Sequence, residues 1–168
     1  MSKSELSAPS RGGSGAKQPI FWFAATTLLG AFLVFQVQPV ISKCVLPWFG
    51  GTPAVWTTCM LFFQLLLFAG YLYAHQLRTC FAPAAQGLIH LALLASAALM
   101  LPIEPSDAWK PTGSESPMTH LLWMLTVHVG LPYFVLSSTG PLIQAWLSYQ
   151  DESEGVYRLY ALSNAGSL

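Results

Sequence analysis

Residues Pro53–Ala74 read PAVWTTCMLFFQLLLFAGYLYA and contain no Asp, Glu, Lys or Arg. A helix crossing a hydrocarbon core about 30 Å thick needs roughly 20 predominantly apolar residues. This run meets that requirement, and Pro53 suits a first helical position, where its missing N–H costs nothing. Outward from it the pattern repeats. Charge-free blocks cover Gln18–Ser42, Cys44–Leu77, Phe81–Ile103 and Ser116–Gln150. Of 168 residues, 54% are hydrophobic and only 8% charged. Soluble domains carry about a quarter charged residues because their surface faces water. The expected fold is therefore an all-α integral membrane bundle of four transmembrane helices with an incomplete fifth segment.

The blocks assign the spans. Residues 1–17 form a polar Ser/Gly tail with little to bury, expected to be disordered and cytoplasmic. The apolar run after it exceeds a signal-peptide core and lacks a small-residue cleavage site, so a retained helix is expected. A four-helix module follows over 18–155. Its first span runs from Ile20 to about Val37, ended by Pro39, which removes a donor and crowds the preceding turn. Ile41–Thr52 is expected as an interfacial connector, with Trp48 and Phe49 at headgroup depth. Pro53–Ala74 is the second span and His75–Pro83, with Arg78, a short turn. Ala84–Leu101 is the third span, and Pro102–Pro117 a polar loop with Glu104, Asp107, Lys110 and Glu115. The fourth span covers Met118–Ser138, interrupted at Gly130 and Pro132. Gly140-Pro141 ends it, and Leu142–Tyr149 is expected to lie along the membrane surface before Asp151, Glu152 and Glu154.

Lys and Arg favour the cytoplasmic side. A cytoplasmic N-terminus puts Lys3, Arg11, Lys17, Arg78 and Arg158 inside and Lys43 and Lys110 outside, five against two. A bacterial inner membrane with the N-terminus in is the expected placement. Residues 156–168 read as the start of a fifth helix. At 1.5 Å per residue they reach about 20 Å, short of the core, so truncation is the expectation.

Few residues suggest chemistry. Lys43 stands alone in an apolar neighbourhood, suited to an anionic group or to snorkelling at the interface. Gln36, Gln38 and Gln64 suit hydrogen bonds between helices. His90 and His128 fall in the third and fourth spans, offset in depth by about 6 Å. They are weak candidates for a haem or chlorophyll-type ligand pair, against a plain hydrogen-bonded role. Gly130, Pro132, Gly140 and Pro141 are candidate hinges of the kind that line transporter sites. Trp48, Trp56, Trp109, Tyr149 and Tyr157 suit interfacial anchoring. Cys44, Cys59 and Cys80 lack ligand spacing and read as packing residues. No catalytic set, metal site or cofactor is expected, and a formal net charge of +0 without a basic patch speaks against nucleic acid.

Leu33–His75, LVFQVQPVISKCVLPWFGGTPAVWTTCMLFFQLLLFAGYLYAH, resembles the start of the membrane region of bacterial fused major-facilitator/spermidine-synthase-like proteins. GLPYFVLSSTGPLIQAWLS (Gly130–Ser148) and YRLYALSNAGSL (Tyr157–Leu168) resemble the segments that follow, in the same order. The resemblance implies a membrane module preceding an aminopropyltransferase-like domain that binds a decarboxylated adenosylmethionine-type ligand. No Gly-rich strand–turn–helix of that catalytic part occurs in this chain. The expected function is thus a membrane module without its own catalytic site, anchoring or transporting beside a missing C-terminal domain. The alternative is a structural subunit packing in a respiratory or photosynthetic membrane complex. Its expected partners are the lipid bilayer and other membrane chains.

Overall fold

A computed structural model describes residues 17–103, 109–111, 116–148 and 153–167. Six α-helices account for almost all of them: α1 (Lys17–Val45), α2 (Pro53–Cys80), α3 (Pro83–Ala98), α4 (Pro117–Leu125), α5 (Leu131–Ser148) and α6 (Ser153–Gly166). No strand occurs among the described residues. Proline opens α2, α3 and α4, where it replaces a donor that has no intrahelical acceptor. Three helical runs are long and apolar enough to cross a membrane: Phe21–Val45, Pro53–Cys80 and Pro117–Ser148. The 16-residue α3 spans only about 24 Å, so its crossing does not follow from length. The N-terminal tail before Lys17, Glu104, Asp107, Glu115, Tyr149, Asp151 and Glu152 lie outside the described residues, as do the side chains of Glu154 and Arg158.

Several expected breaks are absent. α1 continues through Pro39 to Val45, absorbing the lost Pro39 donor inside an otherwise regular helix. Most of the expected connector therefore reduces to Leu46–Thr52. Its reversal is closed by the Gly51 N–H donating to the Leu46 carbonyl at 2.9 Å. Gly50 (φ 89°) and Gly51 (φ 61°) hold left-handed conformations there that side chains disfavour. Phe49 does not sit outward at headgroup depth; it is buried against the His120 ring. α2 likewise runs past Ala74, carrying His75 and Arg78 on the helix, and only Phe81 and Ala82 separate it from α3.

The fourth span departs most. α4 and α5 form one run from Pro117 to Ser148, joined by a single π-helical turn at Thr126–Gly130. Gly140-Pro141 lies within α5, and Leu142, Ile143 and Leu147 beyond it are buried in the bundle rather than spread on a surface. Ser137 donates to the Phe134 carbonyl, and Ser138 and Thr139 to that of Val135. Hydroxyls thus serve backbone acceptors in the turn before the proline, one of the ways a membrane helix tolerates it.

α2 and α1 both lie along α5, and α6 lies along α1. The main core gathers at one end of the bundle, where Phe63 meets Tyr133 edge-on at 4.8 Å among Val55, Cys59, Leu121, Met124 and Leu125. Two crossings depend on glycine. At Gly70 a Cβ would meet the Ser137 side chain and the α5 backbone, and at Gly166 it would fall 2.7 Å from the Leu28 carbonyl. Large apolar side chains meanwhile point outward, among them Phe21, Trp22, Leu61, Phe68, Leu88 and Leu91. Outward apolar chains around a glycine-tight interior suit lipid better than water.

Candidate functional site

Two polar features sit inside this apolar shell. The first is a buried network joining α2, α3 and α5. Gln86 and His90 share a face of α3 at i,i+4 spacing, and both are almost fully buried. The Gln86 amide donates to the Phe81 carbonyl at 2.8 Å and its Oε1 accepts from the Trp146 indole at 2.8 Å. His90 Nε2 lies 3.1 Å from Thr139 Oγ1. Because Thr139 donates its own proton to the Val135 carbonyl at 2.7 Å, its oxygen is the acceptor in that pair. Nε2 therefore carries the imidazole proton and Nδ1 keeps its lone pair, an assignment made from the network. That Nδ1 is buried without a partner, as is the hydroxyl of Tyr73, whose ring stacks on His90.

The second is a cleft of about 440 Å³ between α1, α2, α5 and α6. Its wall is mostly apolar, with Thr27, Tyr71, Ser137, Gln144, Tyr160, Ser163 and Asn164 as polar members and Gly30 and Gly140 as smooth patches, and it opens outward at the exposed Tyr71, Tyr160 and Asn164. Thr27 is distinctive. Thr26, Thr57, Thr58, Thr79, Thr126 and Thr139 each return their hydroxyl to the carbonyl one turn back. Thr27 is 2% exposed, yet its hydroxyl makes no hydrogen bond. A buried hydroxyl without a partner carries a desolvation cost of about 1–3 kcal/mol. Thr27→Val keeps the shape and removes that cost, so it should leave thermal stability in detergent unchanged or raised by up to about 1 kcal/mol. A clear fall in unfolding temperature would mean that the hydroxyl has a structural partner.

The residues singled out by sequence do not converge. His128 Nδ1 lies 3.1 Å from the Met124 carbonyl in its own helix, and its ring meets Trp109 edge-on at 5.0 Å. His90 instead faces Thr139, eleven residues further along the same continuous run, or about 16 Å. The expected 6 Å offset fails because α5 continues where a helix end was expected. Among the described residues no three His, Cys, Asp or Glu side chains group to hold a metal. Gln38 approaches Met60 Sδ at 2.7 Å across α1 and α2. Gln36 and Gln64 are exposed on their helices, and Lys43 is exposed in the last turn of α1, where a cation complements the helix dipole. Trp109 turns inward, with the His120 and His128 rings both against it. Cys59 is buried in the core while Cys44 and Cys80 are exposed.

Thr27, Gln86, Gln144 and Trp146 escaped the sequence reading. For Gln86 the signal was present, as a polar residue one turn before His90 on an apolar helix. For Thr27 there was none, since its neighbour Thr26 is identical. Three helices long and apolar enough to cross a membrane, with a half-open cleft carrying several polar side chains, define a helical membrane protein. No protein-family model, curated protein or solved structure matches the chain.

Proposed function

We propose that this chain is a multi-pass bacterial inner-membrane module of transport type, with its N-terminus cytoplasmic and α3 completing a fourth crossing. The reading places it in a fused major-facilitator/spermidine-synthase-like protein, beside an enzyme domain that this chain does not contain. The resemblance of Leu33–His75 and Gly130–Ser148 to that membrane region supports the assignment. The single observation that carries transport over anchoring is the cleft. An anchor needs only an apolar exterior, whereas here Thr27, Ser137, Gln144, Ser163 and Asn164 from α1, α5 and α6 line one half-open cleft. Polar side chains within spanning segments are kept where they face a cavity or a partner. The long α5 run supports it too, since a π turn and Pro141 supply points of flexure along one wall.

The test is water access. Gly140 lines the cleft with open space where a Cβ would stand, so Gly140→Cys fits without displacement. With Cys44, Cys59 and Cys80 replaced by Ala, this thiol should react with a hydrophilic methanethiosulfonate at least about tenfold faster than Leu65→Cys on the outer face, because the reactive thiolate forms in water. Equal, slow reaction at both positions would show a dry interior and end the transport reading.

A further inference from the structure

We infer that the cleft between α1, α2, α5 and α6 binds an uncharged solute bearing hydroxyl or carboxamide groups. The inference rests on the transport reading and names the chemistry of its solute. Among the described residues the cleft's lining contains no Asp, Glu, Lys, Arg or His. A charged solute drawn into a low-dielectric interior needs a counter-charge, and the described lining residues offer none. What the walls offer is neutral hydrogen-bonding capacity. The Thr27 hydroxyl is nine-tenths buried and unspent, although its neighbours spend theirs on their own helices. Ser137 has given its proton to the Phe134 carbonyl and keeps acceptor lone pairs. The Gln144 and Asn164 carboxamides each bring donors and an acceptor, and neither side chain is engaged among the described residues. The cleft thus holds separate donors and acceptors on facing helices, a set that a polyol or amide can satisfy from several sides. Its volume of about 440 Å³ falls in the range of small-molecule sites.

An adjoining apolar groove of about 530 Å³, which shares Gly30 and Leu136 with the cleft and is otherwise lined by residues such as Leu29, Leu33 and Leu94, provides the contrast. It presents almost no unspent polar group, because Thr26 and Thr139 at its edge are both bonded within their helices. Thr27, whose hydroxyl is unspent, lines the cleft and not this groove.

The test is solute protection of a cleft thiol. Gly140→Cys in the cysteine-free full chain places a thiol on the α5 wall, where a Cβ meets open space. Glycerol, myo-inositol and N-acetylglucosamine are the neutral probes; putrescine, phosphate and glutamate are the charged comparators. At least one neutral probe should slow modification about tenfold at ten times its dissociation constant, since only the unoccupied fraction reacts. Adding Thr27→Val should weaken that protection about fivefold while leaving unprotected labelling unchanged, the loss expected for one neutral hydrogen bond. Fast labelling with no protection by any neutral probe up to its solubility limit overturns the inference and leaves the transport reading standing. Protection by putrescine, phosphate or glutamate alone also overturns it, because the cleft would then be selecting charge. Slow labelling throughout overturns both.

Discussion

Gly70→Leu should separate α2 from α5 and cost about 3 kcal/mol or more of stability in SDS-titration unfolding, the upper end for overpacking a close crossing. A Cβ at Gly70 would stand 3.2 Å from the Ser138 amide nitrogen and 3.3 Å from the Phe134 carbonyl, and closer still to the Ser137 side chain. Ser137 can rotate away, at the loss of its bond to Phe134. The backbone atoms cannot move without shifting α5, which is also packed on α1, α3 and α6. Between membrane helices water gives no hydrophobic drive, so close packing carries most of the association energy. Gly70→Ala, which asks mainly for the serine to turn, should cost about 1 kcal/mol. A Leu variant as stable as the parent would mean that the crossing is looser than described.

Gln86→Leu should have the second-largest effect, about 1–3 kcal/mol in the same assay, because it removes the partner of the partly buried Trp146 indole and a donor to the Phe81 carbonyl. The Trp146 indole loses its acceptor and the Phe81 carbonyl loses a donor that ties the α2–α3 turn to α3. The origin of the loss is checked by a double-mutant cycle. Trp146→Phe removes the stranded indole N–H, so the pair of substitutions should be less destabilising than the sum of the singles. Strict additivity would assign the effect to lost packing instead.

Membrane placement and the start of α2 were legible because they rest on block hydrophobicity and on a proline where it is harmless. Helix ends were not. Pro39 and Pro141 read as breaks because a proline inside a helix loses a bond and crowds the preceding turn. Within α1 and α5 the helix carries on past them, and in α5 serine and threonine hydroxyls serve nearby carbonyls. That misplacement propagated to function: with α5 ended at Ser138, Thr139 and Trp146 had no place beside His90, and Gln144 had none beside Thr27. The cleft was illegible for a further reason. Whether a threonine spends its hydroxyl on its own helix depends on what packs over it, and Thr26 and Thr27 differ only in that.

The central claim, a bundle threaded through the bilayer, can be read from two natural thiols. Cys44 is exposed at the end of α1, beside the turn into α2, and Cys80 is exposed at the other end of α2. Twenty-eight helical residues put the ends of α2 about 40 Å apart, more than the hydrocarbon thickness. Variants retaining Cys44 alone or Cys80 alone should be treated in intact cells, stripped of any outer membrane, with a membrane-impermeant maleimide. The account predicts that Cys44 reacts at once and that Cys80 reacts only after the membrane is permeabilised. The reverse pattern would keep the crossing and invert the orientation. Equal reaction of both thiols in intact cells, or recovery of the protein in the soluble fraction, would contradict the account.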